Sequence, residues 1–252
     1  MKYNKSPTEL LHPSNLQIDE MDLTEAFKFM LNDHSKVISV INESMDDILN
    51  AIKKIVEHIK KNKTTRLIYC GAGTSGRIAV QDGVELTPTF GWPKTKIDFL
   101  LAGGKKALVQ SIEDAEDDTN LPKILIEKKN INSADIVFGL AASGNTQFTN
   151  EILKFSSSKN ALTIAISNNP NGFILNNARC KIILNTKEEV VAGSTRLKAG
   201  TAQKVCLNII STLVMTQLGG VKKGMMINMI PKNKKLRQRA KLIKKKLSEN
   251  HE

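Results

Sequence analysis

Short apolar runs alternate with longer stretches of helical periodicity through most of the 252-residue chain. Such runs are typical of strands buried on both faces of a parallel sheet, whereas the stretches between them repeat their apolar positions every three or four residues. The alternation predicts an α/β fold, a three-layer sandwich with helices on both faces of a parallel five-stranded sheet. The predicted strands are residues 67–70, 97–101, 136–140, 162–166 and 182–184. A ligand is expected at their carboxyl ends.

The longest helical pattern covers residues 37–61. Its apolar positions advance by four and three residues in turn, which places them on one stripe of a single amphipathic helix that covers the sheet or a dimer partner. The stripe holds Ile41, Met45, Ile48, Ile52, Ile55 and Ile59. Other helices are predicted around residues 23–31, over 105–117, and from near Arg196 through Leu213.

The segment 66–91 passes from an apolar run into a glycine-rich turn and then into helix-compatible sequence. The turn, GAGTSGR at residues 71–77, lets the backbone bend sharply and approach a ligand closely. Where such a loop leads into a helix, unpaired N–H groups and the positive end of the helix dipole favour an anion, and the hydroxyls of Thr74 and Ser75 add donors. The pattern predicts a phosphate-binding loop.

A Gly-x-Gly-x-x-Gly turn also opens dinucleotide-binding domains, which need an acidic residue at the end of the next strand to bind the ribose. In this chain Asp98 lies inside the next apolar run, whereas Asp82 and Glu85 lie in the helical segment directly after the loop. The positions of these acidic residues do not favour a dinucleotide-binding domain.

A second strand, turn and helix unit follows at residues 135–155. Its turn, AASGNT at residues 141–146, places the side chains of Ser143, Asn145 and Thr146 beside backbone N–H groups. Hydroxyl, amide and backbone donors together suit a sugar-phosphate loop. A plain connecting turn is the alternative.

Five acidic residues gather in the segment 113–118. They stand at the end of the predicted helix 105–117, where negative charge opposes the helix dipole. Helix stability therefore does not explain the cluster, and composition alone predicts a solvated acidic turn.

The segment 189–204, EVVAGSTRLKAGTAQK, leads into the last predicted core helix. Gly193, Ser194 and Thr195 are suited to cap that helix, which we predict to begin near Arg196. By its pattern alone, the segment is the start of a packing helix.

Several of these segments share a family resemblance. GAGTSGR at 71–77, Glu85 and TPTFG at 87–91 resemble the N-acetylmuramic acid 6-phosphate etherases, which are sugar isomerase (SIS) domain enzymes. The glucokinase regulatory protein shares that ancestry. The segments 113–117 and 189–204 are similar to further motifs of the same family. The resemblance covers about residues 8–236 and implies the SIS fold.

The resemblance implies a carbon–oxygen lyase of cell-wall sugar recycling, which cleaves the lactyl ether of N-acetylmuramic acid 6-phosphate to N-acetylglucosamine 6-phosphate and D-lactate. Carried onto this sequence, it makes Glu116 the expected base and Glu85 the expected acid, in an order that can be reversed. The implied substrate-binding residues are Gly73, Thr74, Ser75, Ser143, Asn145, Thr146, Glu189, Ser194, Arg196 and Lys198. Neither a metal nor a nucleotide cofactor is implied. The family's active site draws on both subunits of a homodimer.

The chain departs from the family pattern at several positions. Leu11 and His12 stand where the family's N-terminal segment has Arg and Asn, and Asn145 replaces an Arg in the second loop. The two retained glutamates favour the etherase. The departures favour a catalytically impaired sugar-phosphate-binding regulator. An aldose–ketose isomerase, the third hypothesis, shares the fold but releases no lactate.

We expect three parts in the chain: an N-terminal arm at residues 1–35, a SIS sugar-phosphate-binding domain at 36–220, and a basic helical tail at 221–252 without the family's C-terminal helical domain. Of the formal net charge of +12, +7 lies in residues 232–252. Such a run can contact RNA or an anionic surface, but lysine-rich helix ends also occur without a partner. We predict a solvated helix and no nucleic-acid partner.

The sequence also argues against membrane, secreted, disulfide-rich and zinc-binding proteins. The apolar runs fall short of the ~20 residues that a membrane span needs. The first 15 residues lack the apolar core of a secretory signal, so a cytoplasmic protein without a membrane partner is expected. Three cysteines without paired spacing and four scattered histidines predict neither a disulfide framework nor a zinc site.

Overall fold

The computed structural model describes most of the chain, namely residues 6–13, 17–231 and 234–248. Parts of the predicted arm and tail lie outside the described residues, namely 1–5, 14–16, 232–233 and 249–252.

A parallel five-stranded sheet with the strand order β2-β1-β3-β4-β5 forms the centre of the molecule. Its strands are β1 Leu67–Gly71, β2 Ile97–Leu101, β3 Ile136–Ala141, β4 Leu162–Ser167 and β5 Cys180–Ile183. All five predicted strands are confirmed, and β5 begins two residues before its predicted start. A short antiparallel pair, β6 Val221–Lys222 and β7 Met225–Met226, follows the last core helix.

Helices cover both faces of the sheet. They are α1 Leu23–Ser35, α2 Val37–Glu43, α3 Met45–Lys61, α4 Gly73–Phe90, α5 Leu121–Lys128, α6 Gln147–Ser158, α7 Lys198–Gln217 and α8 Lys234–Ser248. Successive strand residues point to opposite faces, so Leu67 and Tyr69 pack against the layer of α2, α3, α4 and α7. Ile68 and Cys70 pack against α5 and α6. The predicted three-layer sandwich is therefore confirmed.

The single helix predicted over residues 37–61 is wrong, because the chain breaks at Ser44 into α2 and α3. The Ser44 hydroxyl is within hydrogen-bond distance of the carbonyl oxygens of Val40, 3.0 Å, and Ile183, 2.6 Å. A serine hydroxyl that bonds backbone carbonyls competes with the helical pattern. The bond to Ile183 holds this break against the end of β5.

The helix predicted over residues 105–117 is also wrong. The chain there forms two 3-10 turns, Gly104–Leu108 and Glu113–Glu116. The carbonyls of Ala107 and Gln110, which a continuous helix would use for its own hydrogen bonds, accept instead from Arg77. The next α-helix, α5, begins instead after Asp118, whose carboxylate accepts the N–H of Leu121 at 3.0 Å.

Within the segment predicted as a helical tail, residues 221–226 form the pair β6 and β7, and a helix, α8, begins at Lys234. None of the described side chains of α8 is buried. Within the described residues, every helix is too short or too polar to cross a membrane. The three cysteines are free and buried.

Candidate active site

Two of the predicted loops meet at the carboxyl edge of the sheet. Residues 72–75 follow β1 and residues 142–146 follow β3, and these two strands are hydrogen-bonded neighbours. The chain passes from β1 outward to β2 and then returns to β3, so the crevice between the loops lies where the strand order reverses. Open α/β sheets bind their ligands at such a position.

The first loop places the start of α4 tightly against β1. A Cβ built on Gly71 would lie 3.0 Å from the backbone nitrogen of Gly76, and one built on Gly76 would lie 2.8 Å from the carbonyl oxygen of Gly71. Gly73 opens the helix with a φ of +50°. Thr74 is half-buried against Gly200 at the start of α7, and Ser75 is buried.

Glu116 lies directly over the first loop. A Cβ built on Gly73 would lie only 3.2 Å from Oε1 of Glu116. Arg77 holds this part of the chain in place by donating from Nε to the carbonyl of Ala107 at 2.9 Å and from Nη2 to that of Gln110 at 2.8 Å. A carboxylate therefore stands at the positive end of α4.

Glu85, the other predicted catalytic glutamate, is exposed on α4. Residues 73 and 85 of this helix are about 18 Å apart along its axis. Within the described residues, the fold therefore places Glu116 next to the first loop and leaves Glu85 distant from that loop along α4.

The second loop is held by side-chain and backbone hydrogen bonds. Ser143 Oγ accepts the N–H of Asn145 at 3.1 Å, and Asn169 donates to the Ser143 carbonyl at 2.8 Å. Asn145 Oδ1 accepts the N–H of Phe173 at 3.3 Å. Thr146 is the N-cap of α6, and within the described structure its side chain makes no capping hydrogen bond. The first N–H groups of α6 thus remain available to an anion.

Glu189 caps α7 from within the protein. Its Oε2 accepts the N–H of Lys198 at 3.0 Å and its Oε1 accepts that of Ala199 at 2.8 Å. The predicted cap by Ser194 and Thr195 is wrong, since α7 begins at Lys198 with Leu197 as its N-cap. Burial raises the pKa of Glu189, and the two amide hydrogen bonds oppose that rise.

Lys198 is buried in an ion pair with α1. Its Nζ lies 2.7 Å from Oδ1 of Asp33 and 2.7 Å from the carbonyl oxygen of Glu188, and the two charged side chains are 3% and 1% exposed. Burial alone would raise the pKa of Asp33, but hydrogen bonds from Lys198 and Lys36 outweigh it and place this pKa below its usual range. His12 adds a third nitrogen 3.7 Å from Asp33 Oδ1.

The turn before α7 carries the two other predicted ligand residues of this segment, Ser194 and Arg196. Ser194 donates its N–H to the Val191 carbonyl, and Arg196 is exposed. The N-terminal arm lies on this turn, because the N–H of Gly193 donates to the Thr8 carbonyl at 2.8 Å. The structure thus brings the arm, α1 and the start of α7 together beside the first loop.

Asn168 is a fully buried positioning residue that the sequence reasoning missed. Its Nδ2 lies 3.1 Å from the Leu184 carbonyl, 3.3 Å from Thr186 Oγ1 and 3.4 Å from the Ala199 carbonyl, and its Oδ1 accepts from Gln203 at 2.9 Å. It therefore joins the end of β4 to the start of α7. A buried polar side chain directly after an apolar strand was the available signal, but the surrounding Asn and Pro residues indicated only a turn.

Asp82 fastens α4 to α7. It is buried, and its Oδ1 accepts from Asn208 Nδ2 at 2.8 Å and from Ser211 Oγ at 3.1 Å. Burial raises the pKa of Asp82, while these hydrogen bonds oppose the rise. Its Oδ2 has no hydrogen-bond partner among the described residues.

The described residues include no group of three or more His, Cys, Asp or Glu side chains placed to hold a metal ion. The polar groups that converge on the crevice are instead hydroxyls, amides, backbone N–H groups and the Glu116 carboxylate. Such a set suits a phosphorylated, hydroxyl-rich ligand and a proton transfer to or from a carboxylate.

Two family models match the chain. Residues 47–157 match the glucokinase regulatory protein N-terminal SIS domain, and residues 110–213 match the SIS domain. Among solved structures, a phosphoheptose isomerase from Francisella tularensis is similar over 78% of this chain and 100% of its own, with a TM-score of 0.60 and 15% identity. A Methanococcus jannaschii protein, whose structure infers a 3-hexulose-6-phosphate isomerase, is similar over 79% and 96%, with a TM-score of 0.55 and 17% identity. These likenesses show the fold.

Curated relatives are closer in sequence. The N-acetylmuramic acid 6-phosphate etherase of Clostridium acetobutylicum is 39% identical over 92% of this chain and 76% of its own length. The etherase of Oenococcus oeni is 41% identical over 96% and 81%. At this identity and coverage, the chain belongs to the N-acetylmuramic acid 6-phosphate etherase family.

Proposed function

We propose that the chain is a carbon–oxygen lyase that cleaves the D-lactyl ether of N-acetylmuramic acid 6-phosphate, giving N-acetylglucosamine 6-phosphate and D-lactate. The observation that carries the proposal is the Glu116 carboxylate standing over Gly73, beside two loops suited to a sugar phosphate. The family membership supplies the substrate and the reaction.

The phosphate of the substrate binds between the two loops. Ser143 and Thr146 offer hydroxyls at the start of α6, where the first-turn N–H groups point outward. Thr74 and Ser75 provide hydroxyls from the first loop. With Asn145 in place of an arginine, the second loop binds the phosphate through hydrogen bonds and the helix dipole rather than a bidentate charge pair.

Glu116 acts on the sugar in its open-chain form. The C2 hydrogen is α to the aldehyde, so the Glu116 carboxylate removes it as a proton. The C3–O bond then breaks, the C2–C3 double bond forms, and the leaving oxygen takes a proton from the Glu85 carboxylic acid to release lactate. Addition of water to the alkene, with hydrogen to C2 and hydroxyl to C3, gives the product and completes the balance of atoms.

Glu85 reaches this site from a second copy of the chain. Its position about 18 Å along α4 from residue 73 separates it from Glu116 of its own chain. A two-fold axis that places the α4 helices antiparallel brings Glu85 of each copy toward the other copy's first loop. The proposed enzyme is therefore a homodimer with shared sites.

The division into domains and the cellular location are also proposals. Both family-model matches fall within residues 36–220, which supports that segment as the sugar-phosphate-binding domain between an arm and a basic tail. The phosphorylated substrate and the three free, buried cysteines support cytoplasmic work in cell-wall sugar recycling.

Incubation of the full chain with N-acetylmuramic acid 6-phosphate should release D-lactate. Glu85→Gln should still exchange the C2 hydrogen with deuterium from solvent but release no lactate, because proton removal precedes departure of the alkoxide. Glu116→Gln should do neither. Glu127→Gln, which changes an exposed glutamate on α5, is the matched control and should behave as wild type.

Co-expression of the Glu85→Gln and Glu116→Gln chains tests the shared site. One of the two sites in each mixed dimer then holds both glutamates, so about a quarter of wild-type activity should return. If both glutamates acted within one chain, the mixture would stay inactive.

The second candidate is a sugar-phosphate-binding regulator. The match of residues 47–157 to the glucokinase regulatory protein domain favours it. Binding of the substrate by calorimetry without either deuterium exchange or lactate release would establish this candidate in place of the etherase.

A further inference from the structure

The proposed substrate brings two separate anionic groups to the crevice. One is the phosphate, for which the two loops are suited, and the other is the lactyl carboxylate, which only the ether oxygen and one carbon separate from C3. Glu116, which acts at the neighbouring C2, adds its own negative charge over Gly73. Like charges this close disfavour substrate binding, and they also disfavour proton removal, which leaves further negative charge on the sugar. The lactyl carboxylate therefore calls for a cation at this edge of the crevice.

Two cations beside the first loop are committed to other contacts. Arg77 donates from Nε and Nη2 to the carbonyls of Ala107 and Gln110. Lys198 is only 3% exposed and pairs with the buried Asp33. Either side chain would have to give up these partners to meet a ligand carboxylate, and breaking the buried ion pair is strongly unfavourable.

Arg196, by contrast, carries an unoccupied guanidinium on a fixed backbone. Among the residues that the structure describes, its side chain has neither a hydrogen-bond partner nor an ion pair, and it is exposed. The turn that holds it is closed on both sides, because the N–H of Leu197 donates to the Ser194 carbonyl at 3.1 Å and the N–H of Gly200 donates to the Thr195 carbonyl at 2.9 Å. An exposed charge on such a base is available to a ligand without any cost in internal contacts.

The turn that carries Arg196 lies against the first loop. A Cβ built on Gly200 would lie 3.2 Å from the carbonyl oxygen of Thr195 and 3.3 Å from Cγ2 of Thr74, so the turn and the loop meet at the same point of α7. Arg196 follows Thr195 directly, and Thr74 follows Gly73, over which Glu116 stands. The long side chain of Arg196 can therefore reach a group that is bound beside Glu116.

We propose that Arg196 binds the carboxylate of the lactyl group and so distinguishes N-acetylmuramic acid 6-phosphate from sugar phosphates that lack this group. The inference rests on the proposed function, which supplies the substrate. A guanidinium presents two parallel N–H donors that match the two oxygens of a carboxylate, whereas the hydroxyls and backbone N–H groups of the loops suit the phosphate. The two anionic ends of the substrate are thus bound by different parts of the fold.

The test compares two sugar phosphates that differ in the lactyl group. N-acetylmuramic acid 6-phosphate and N-acetylglucosamine 6-phosphate are titrated by calorimetry into the full chain carrying Glu116→Gln, which prevents turnover. Addition of Arg196→Gln should weaken binding of the muramic acid phosphate on the order of 30-fold, as expected for loss of a hydrogen bond between charged groups, and should change binding of the glucosamine phosphate by less than about threefold. Arg196→Lys keeps the charge without the paired donors, so its loss should be smaller.

Lys106→Gln in the same background is the matched control, because it removes an exposed cation from the neighbouring 3-10 turn Gly104–Leu108. Both affinities should stay those of the parent chain. An equal loss for both ligands in Arg196→Gln, no loss for either, a lactyl-selective loss in Lys106→Gln, or no binding of the muramic acid phosphate at all would overturn the assignment. These affinities do not depend on turnover. A wild-type chain that bound both ligands with the expected selectivity but released no D-lactate would remove the etherase function and leave the carboxylate site.

Discussion

Replacement of Lys198 by methionine should destabilise the protein by about 3 kcal/mol, because it leaves the Asp33 carboxylate buried without its closest partner. Breaking a buried ion pair on one side typically costs about 3–5 kcal/mol. The lower end applies here, since Lys36 Nζ stays 3.0 Å from the same carboxylate oxygen. Native domains are stable by only about 5–15 kcal/mol, so this loss is a large fraction of the total.

Urea unfolding at pH 7 measures this effect. For a slope of about 3 kcal/mol/M, the midpoint should fall by about 1 M with the slope unchanged. Lys36→Met is the matched control: it removes the other lysine from Asp33, but its side chain is half exposed, and the loss should stay within about 1 kcal/mol. A Lys198→Met protein within about 1 kcal/mol of wild type would refute the reasoning.

The pH dependence provides a second test of the same pair. The pKa of Asp33 is lowered in the folded protein, so its stabilising contribution is present above the unfolded value of about 3.9. It is lost as pH falls through the folded pKa. The difference between wild type and Lys198→Met should therefore shrink under acid conditions, and a difference that grew with acidification would contradict the ion pair.

Four further outcomes are expected. Ser143→Glu should abolish sugar-phosphate binding in calorimetry, because a second negative charge repels the phosphate; unchanged affinity would remove the loop from the site. Gly73→Ala should cost about 1 kcal/mol in urea unfolding from its positive φ, and should slow C2 deuterium exchange because the new methyl group meets Glu116 at 3.2 Å. The pKa of Asp82 is raised in the folded protein, so its contribution to the free energy of unfolding is present below the unfolded pKa and is lost as pH rises through the folded pKa. Asp82→Asn should therefore make the free energy of unfolding fall less steeply with rising pH. An equally steep fall in this variant would exclude Asp82 as the cause. Deletion of residues 237–252 should leave sugar-phosphate binding unchanged, whereas salt-sensitive RNA binding that the deletion removes would show that α8 has a partner.

The sequence by itself determined the sheet and the two loops of the crevice. A strand buried on both faces is apolar at nearly every position, so β1, β3 and β4 were visible without any tertiary information. The need for glycine within residues 71–76 is also local, because a Cβ on Gly71 or Gly76 would collide with the facing backbone of this turn. The placement of the predicted loops side by side then followed from the parallel order of the strands.

Resemblance named the two glutamates, but their relation in space depended on the fold. Glu116 reaches Gly73 because Arg77, about thirty residues earlier in the chain, donates hydrogen bonds to the carbonyls of Ala107 and Gln110. The same hydrogen bonds accompany the 3-10 turns that take the place of the predicted helix. Glu85 stays apart from Glu116 because the length of α4 separates it from the first loop, and helix length is not something a motif reports.

Hydrogen bonds between distant residues decided the rest. Lys198 and Asp33 are 165 positions apart, and Glu189 caps α7 from outside the helix that it stabilises. Ser44 interrupts an otherwise unbroken helical pattern through a bond to Ile183, 139 positions away. Such hydrogen-bond partners have no fixed spacing along the chain. Periodicity and capping rules therefore assign these polar side chains to local roles. Only the packed structure shows which buried donor meets which acceptor.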